Sequence, residues 1–243
     1  MPEKLEEEKR TILYRIKFTK EGPVKYTGHL DVMRFFQRVI RRAALPVAFS
    51  GGYSPHPVMS FAYPLSLGFT STGEYFDVAF TEEVPEDEIL RRMNEESNCF
   101  FRILAVKRMP QGTRNCMSSV FASEYEVTFR DHVKLPSGWE RTYLSFCERE
   151  HIPVRKPKKK GGGFLEIDLK EFLYDYGIPE GRERTIRFVI NSGSSDNVKP
   201  EFFTHCFLED AGIEEGEFPF RVHRTEIYEN TGKDGEICLK GLL

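Results

Sequence analysis

Four arginines recur along one predicted helix and could together bind an anion. The segment from His29 to Leu45 carries them at spacings i, i+4, i+7 and i+8, at Arg34, Arg38, Arg41 and Arg42. At about 100° per residue they gather on one side of the helix. The opposite side carries Val32, Phe36, Val39, Ile40 and Ala43, which should pack on a sheet. Guanidinium forks could bind phosphates on this side of the helix; the alternative is a solvated face paired with the acids of the following segment.

A glycine-rich loop follows the helix in the segment SGGYSPHPVMS. Its candidate substrate-contacting residues are Gly51, Gly52, Tyr53, Ser54 and His56. The glycines permit close backbone approach to a ligand, and the flanking prolines hold His56 extended. Tyr53 could stack on a base. The alternative is an ordinary turn entering an edge strand, and the loop lacks the Gly-Lys-Ser/Thr ending of a P-loop.

A histidine opens the same helix. His29 lies in the predicted first turn, where the dipole favours an anion and lowers the pKa of an imidazole. It could therefore act as a general acid or base, or contact a phosphate. The alternative is a histidine that packs against the sheet.

A basic loop lies in the second half of the chain. Its cations, followed by three glycines, are Arg155, Lys156, Lys158, Lys159 and Lys160. Such a run attracts phosphates without reading sequence, and its strength depends on salt. The alternative is a solubilising hairpin tip.

The net charge of −3 conceals a strong segregation of charge. Residues 11–70 carry eight Lys or Arg against two acids, whereas residues 71–98 carry nine acids against two arginines. A basic face that attracts an anionic partner is therefore compatible with the weakly acidic total.

Composition narrows the class of protein. The five cysteines are widely separated and odd in number, which favours reduced thiols in the cytoplasm and leaves no visible metal or cluster ligand set. We therefore expect no metal and no cofactor. No apolar run approaches the roughly 20 residues that cross a bilayer, so we expect no membrane partner. The charged start predicts a polar tail over residues 1–10.

The order of predicted elements indicates an α+β fold of two tandem ferredoxin-like halves with antiparallel sheets. In the first half, strands alternate with helices over 29–45 and 85–97 in the order β-α-β-β-α-β. The second half repeats this order less regularly: IPVRK and GFLEIDL form a hairpin around a basic loop, residues 174–181 are irregular, and RTIRFVI is a further strand, so that this half has one strand more than the repeat. The predicted divisions are a tail over 1–10, a first half over 11–109, a linker over 110–119 and a second half over 120–243.

With these residues laid out, the chain resembles the radical-SAM-linked protein family, an uncharacterised bacterial group. The resemblance is carried by TGHLDVMRFFQRVIRRAALPVAFSGGYSPHPVMSFAYPLSLG and STGEYFDV, and more loosely by VRKPKKKGGGFLEIDL and VKPEFF. It implies an accessory role beside a cobalamin-binding radical SAM protein, with RNA as a reasonable substrate class. Gly28 stands where the family usually has Ser, and Tyr53-Ser54 where it has Phe-Asn.

A second, architectural resemblance is to the CRISPR repeat-processing endoribonucleases, which cleave RNA without metal. It implies catalytic candidates at His29, Tyr26 and Lys25, although the glycine-rich loop of that group near its C-terminus is not evident.

The sequence therefore supports one leading hypothesis and two alternatives. The leading hypothesis is a cytoplasmic, non-catalytic protein that binds RNA or presents a substrate to a radical SAM enzyme. The alternatives are a metal-independent endoribonuclease and a protein-interaction module that docks the radical SAM partner.

Overall fold

The computed structural model describes residues 11–158, 161–193, 197–233 and 236–243. The predicted polar tail over 1–10 and the predicted anion contacts Lys159 and Lys160 lie outside the described residues. The fold is mixed α/β with mostly antiparallel strand pairs, and it divides into two compact units. Unit 1 comprises residues up to Leu67, Gly73–Ser119 and Leu242–Leu243; unit 2 comprises Gly68–Thr72 and Val120–Gly241. No helix in the described ranges is long and apolar enough to cross a membrane.

Unit 1 is built on a four-stranded sheet. Its elements are β1 (Ile12–Lys20), α1 (His29–Arg42), β2 (Met59–Phe61), β3 (Thr70–Phe80, from Gly73 onward), α2 (Glu86–Glu96), β4 (Ile103–Arg108) and the short α3 (Cys116–Ser119). The spatial strand order is β4-β1-β3-β2, with β1–β4 and β2–β3 antiparallel.

The core of unit 1 follows from two periodicities. In β1 every second residue faces inward, so that Tyr14, Ile16 and Phe18 are at most 1% exposed. In α1 the predicted apolar face is confirmed, since Val32, Phe36, Val39, Ile40 and Ala43 are all buried. The ring of Phe36 lies 4.6 Å from that of Phe18, between centroids, and joins the two elements in an aromatic core.

Helix α1 ends earlier than the sequence predicts. The predicted end is Leu45, before Pro46, but the helix stops at Arg42 because Ala44 takes a left-handed φ of 50°. The Leu45 N–H then bonds to the Ile40 carbonyl, and the Ala44 N–H to the Arg41 carbonyl, which is the Schellman arrangement. The turn directs the chain toward the glycine-rich loop.

Unit 2 has a separate core and a sheet ordered β10-β5-β9-β8, with β11 beside β10. Its elements are β5 (Ala122–Phe129), α4 (Trp139–Glu148), β6 (Pro153–Pro157), β7 (Phe164–Asp168), β8 (Leu173–Gly177), β9 (Thr185–Asn191), α5 (Pro200–Asp210), β10 (Phe220–Asn230) and β11 (Leu239–Gly241). Phe188 of β9 lies 4.5 Å from Phe203 of α5, between ring centroids, in the middle of this core.

The predicted strand assignment in unit 2 is partly wrong. The predicted hairpin exists, but β6 and β7 pair only with each other in a separate two-stranded sheet. The neighbour of β9 in the main sheet is β8, which occupies part of the stretch that was predicted to be irregular. The local pattern misleads here because β8 is short and its pairing with β9 is interrupted by a bulge between Leu173 and Asp175.

A buried ion pair joins β1 to β3 in unit 1. The Arg15 guanidinium donates to both carboxylate oxygens of Asp77, at 2.8 and 3.0 Å, and the two residues are 1% and 2% exposed. It also donates to the carbonyls of Arg114 and Leu242. Asp77 in turn accepts the backbone N–H of Cys116 at 2.7 Å. Arg15, counted in the sequence as part of a basic face, is therefore a structural residue.

We predict that Asp77→Leu lowers the free energy of unfolding by about 3–5 kcal/mol, because the Arg15 charge stays buried without its partner. The double variant Arg15→Met/Asp77→Leu removes both charges, so its free energy of unfolding should fall less than that of Asp77→Leu alone. Urea denaturation followed by circular dichroism measures both. The exposed pair Arg91 and Glu95 supplies the control: Glu95→Leu should cost less than about 1 kcal/mol. Additive losses in the double variant would contradict the coupling.

A neutral histidine joins β10 of unit 2 to the segment Gly68–Thr72. His223 Nδ1 lies 2.8 Å from the Thr70 hydroxyl, and Nε2 lies 3.2 Å from the Thr72 hydroxyl. Burial, helped by the Arg182 charge, lowers the pKa of His223 to about 4. The backbone of His223 also pairs in parallel with Thr70.

We predict a specific acid sensitivity from this site. Between pH 6.5, the ordinary pKa of His, and about 4, the unfolded chain binds more protons than the folded one, so that stability falls as pH falls. The stabilisation that the lowered pKa of His223 contributes is fully present above pH 6.5, and it amounts to no more than about 3 kcal/mol of unfolding free energy. His223→Gln keeps hydrogen-bonding groups without titrating, and its unfolding free energy should fall less between pH 7 and pH 4. Parallel pH profiles for the two proteins would refute this.

Candidate functional site

An open groove of about 600 Å³ lies between helix α1 and the segment 47–57 in unit 1. The helix supplies a polar wall of Arg34, Gln37, Arg38 and Arg41. Three arginines of the predicted stripe and His56 of the predicted loop are therefore brought together, although no sequence pattern indicates that they face each other.

The second wall of the groove is largely apolar. It comprises Leu45 and Val47 after the helix, and then Phe49, Pro55, His56 and Pro57. The side chain of Phe49 is 58% exposed, which is unusual for a phenylalanine. Sequence analysis missed Phe49, because Val47, Ala48 and Phe49 are all apolar and their sequence shows no alternation; the buried Ala48 between two groove residues is visible only in the structure.

Backbone hydrogen bonds hold the apolar wall in place. The Ala48 N–H bonds to the Ala79 carbonyl of β3 at 2.8 Å, and the Ala79 N–H bonds to the Val58 carbonyl at 3.1 Å. Val58 donates back to Ala48, and Phe49 pairs with Pro57 in an antiparallel bridge. We call residues 48–58 the groove hairpin. Its base is fixed to the central sheet of unit 1.

His56 is held by a serine at the start of the groove hairpin. Its backbone N–H donates to Ser50 Oγ at 3.1 Å, and its Nδ1 lies 3.0 Å from the same oxygen. Nδ1 is also 3.4 Å from the Ser54 carbonyl. These contacts occupy the Nδ1 edge of the ring. No hydrogen bond to Nε2 occurs within the described ranges, so that this nitrogen is available to a ligand.

The tip of the groove hairpin extends away from the groove walls. Gly52 has a φ of +99°, a conformation that favours glycine, and a Cβ on Gly51 or Gly52 would meet nothing within 4 Å. Tyr53 is fully exposed. Of the five predicted loop residues, only His56 lines the groove, whereas Gly51, Gly52, Tyr53 and Ser54 form its tip.

The four arginines of the stripe differ in their partners. Arg42 pairs with Glu96 of α2, at 3.0 Å, and does not line the groove. Arg34 contacts Asp31 at 3.4 Å in an exposed pair. Neither Arg38 nor Arg41 has an acidic partner in the part of the chain that the structure describes. Of the four arginines, Arg42 is paired outside the groove, Arg34 lines the groove with an exposed acidic partner, and Arg38 and Arg41 line it without one among the described residues.

His29 lies in a different and much smaller cavity of about 20 Å³, enough for one water molecule. Lys20 and Glu74, both buried, line the same cavity. His29 is an exposed residue, and its ring meets that of Phe61 edge-on, with 5.4 Å between the ring centroids. The pKa of His29 is lowered chiefly by desolvation, with the Lys20 charge adding to this effect and Glu74 opposing it.

The other two residues of the endoribonuclease alternative lie elsewhere. Lys25 and Tyr26 end a 3₁₀ turn and contact each other, with the Lys25 ammonium 5.1 Å from the centre of the Tyr26 ring. They do not line the cavity of His29. The buried partners Lys20 and Glu74 were missed by sequence analysis, because strand residues with charged side chains gave no sign of burial.

The basic hairpin of unit 2 is partly occupied by its own contacts. Arg155 lies 3.7 Å from Glu166 across the two strands, and Lys156 Nζ donates to the Asn197 carbonyl at 2.6 Å. Lys158 is exposed. Within the described residues, no group of three or more His, Cys, Asp or Glu side chains is arranged to hold a metal ion.

Comparison with known proteins assigns a family. Residues 13–200, well over half of the chain, match the family described as an uncharacterized protein conserved in bacteria (DUF2344). The match runs from β1 to the first residue of α5 and includes the whole groove. No curated protein matches the chain. The chain with the arginine-lined groove thus belongs to the DUF2344 family of uncharacterized bacterial proteins.

Proposed function

We propose that this protein binds RNA through the groove between α1 and the groove hairpin, and that it presents this RNA as a non-catalytic accessory protein in the cytoplasm. The single observation that carries the proposal is the pair of uncompensated arginines, Arg38 and Arg41, on one wall of a groove whose other wall carries His56. Exposed Lys158 on the basic hairpin adds long-range attraction, and Tyr53 at the hairpin tip offers a ring to a base.

The chemistry of the arginine wall favours phosphate over other anions. A guanidinium presents five N–H donors in a planar fork that matches two phosphate oxygens at once. The two arginines lie one turn apart on a rigid helix, so a ligand need not order the backbone that holds them.

The proposed partner is a cobalamin-binding radical SAM protein, as the family resemblance implies. The chain has no closely spaced cysteine triad, and its cysteines are far apart in sequence. Cys116 and Cys147 are buried, and burial raises the pKa of each thiol to about 12. We therefore assign the chemical step to the partner and the binding of RNA to this chain.

We propose that both units derive from the ferredoxin-like fold. Two observations support this: the strand order β4-β1-β3-β2 in unit 1, and the equivalent order β10-β5-β9-β8 in unit 2. In this interpretation β8 and β9 are the second and third strands of the repeat, and the β6–β7 hairpin is an insertion after α4. The element that is additional to the repeat is then the β6–β7 hairpin, and β9 belongs to the repeat itself.

A second candidate function is favoured by the surroundings of His29. The imidazole, whose pKa is lowered chiefly by desolvation, lies in one small cavity with Lys20 and Glu74 and could act as a general base. An endoribonuclease of this kind would use Lys20 in place of Lys25 and Tyr26.

We predict that Arg38→Gln/Arg41→Gln weakens RNA binding and reduces its salt dependence. Loss of two phosphate contacts should lower the slope of log affinity against log salt by about 1.5. Fluorescence anisotropy with labelled RNA at several salt concentrations measures this. The control is Arg42→Gln/Arg91→Gln, which removes the same charge from residues paired with Glu96 and Glu95. Equal loss in both proteins would show that net charge, and not the groove, binds RNA.

We predict further that the protein leaves bound RNA intact. Incubation of labelled RNA with the protein in EDTA, resolved on a denaturing gel, should show no cleavage, and His29→Ala should bind RNA with unchanged affinity. Cleavage that His29→Ala abolishes would instead establish the endoribonuclease candidate. Lack of any binding, together with nuclease-resistant copurification of the radical SAM protein, would favour the protein-interaction alternative.

A further inference from the structure

We infer that the groove binds an unstacked nucleotide of a single strand, with the base on the apolar wall and the flanking phosphates on Arg38 and Arg41. This inference rests on the proposed RNA-binding function and adds the form of RNA that the groove accepts.

The two walls of the groove match the two parts of a nucleotide. The helix side is cationic, and the groove hairpin opposite presents Phe49, Pro55 and Pro57. A nucleotide likewise has an anionic backbone on one side and an apolar ring face on the other. The volume of about 600 Å³ is of the size that holds a small organic ligand and far exceeds what a bare phosphate needs.

Phe49 is the residue that this arrangement leaves without a structural role. It is 58% exposed, although its neighbour Ala48 is buried and both are fixed by the hairpin pairing. An exposed ring on a rigid backbone loses little conformational freedom when a base stacks on it. The ring of His56, held through Nδ1, offers a second planar surface and a free Nε2.

The arginine spacing suits successive phosphates of an extended strand. Residues 34 and 38 are separated by about 6 Å along the helix axis, and residues 38 and 41 by about 4.5 Å. Arg34 forms an exposed pair with Asp31, and such a pair is worth too little to keep Arg34 from a phosphate. The arginines of this wall can therefore contact successive phosphates along a short stretch of RNA backbone.

A duplex would not use the apolar wall. In double-stranded RNA the ring faces are covered by their stacked neighbours, and the major groove is too narrow for side chains to enter. Single-stranded RNA displays its bases, which stack on aromatic side chains. The exposed ring of Phe49 opposite the arginines therefore selects single strands.

The test uses the full-length protein and a single-stranded RNA of about 12 nucleotides containing 2-aminopurine, whose fluorescence changes when the base stacks. The same sequence annealed to its complement is the duplex probe. The wild type should bind the single strand at least about tenfold more tightly than the duplex and change the 2-aminopurine signal on binding.

Three variants separate stacking from charge. Phe49→Ala should weaken single-strand binding about tenfold and abolish the fluorescence change, while the salt slope stays that of the wild type. Phe49→Tyr keeps the ring and should retain both affinity and signal. Phe218→Ala removes a ring of unit 2 that is even more exposed, at 77%, and lies outside the groove, and this variant should change neither affinity nor signal.

The outcomes distinguish this inference from the function on which it rests. If the wild type binds neither RNA, the proposed function fails and the inference with it. If it binds single strand and duplex equally, or if Phe49→Ala leaves affinity and fluorescence unchanged, RNA binding stands and the single-strand inference is overturned.

Discussion

The buried pair of Arg15 and Asp77 is the interaction on which unit 1 depends. Two charges that are almost completely removed from water are stable only because each donor and acceptor finds a partner. The guanidinium donates hydrogen bonds to Asp77 and to two backbone carbonyls, and the carboxylate of Asp77 accepts one from the Cys116 N–H. Strands β1 and β3, helix α3 and the backbone at Leu242 are thereby fixed to one another. Removing one partner would leave the other charged and buried, so that the arrangement is cooperative.

This constraint reaches the groove through β3. Asp77 is two residues before Ala79, whose backbone accepts from Ala48 and donates to Val58 at the base of the groove hairpin. The opposite wall, α1, is held to the same sheet by Phe36 and its aromatic neighbours. Both walls therefore rest on one rigid core, and their separation does not depend on a ligand. A preformed groove avoids much of the ordering cost that binding otherwise carries.

Local patterns in the sequence predicted local structure well. The periodicity of α1 identified its buried face and the arginine stripe, because both follow from spacing along one helix. Pairing between distant residues could not be predicted in this way. Arg15 was counted as a surface cation until β3 brought Asp77 to it, and β8 was missed because its pairing depends on β9. The groove likewise depends on tertiary structure, since Phe49 and Arg38 line one groove only because the hairpin packs on β3.

The ion-pair partners of the acids in residues 71–98 explain why the groove remains cationic. The sequence allowed the nine acids of residues 71–98 to neutralise the arginine stripe. In the structure most of these acids that form ion pairs do so within or beside α2: Glu88 with Arg92, Glu95 with Arg91, and Glu83 with Arg108. Among the described residues of this acidic segment, Glu96 alone pairs with an arginine of the stripe, and that arginine is Arg42, the last one along the helix. These acids are thus paired with arginines close to them, and the positive potential of Arg38 and Arg41 can attract an anionic ligand.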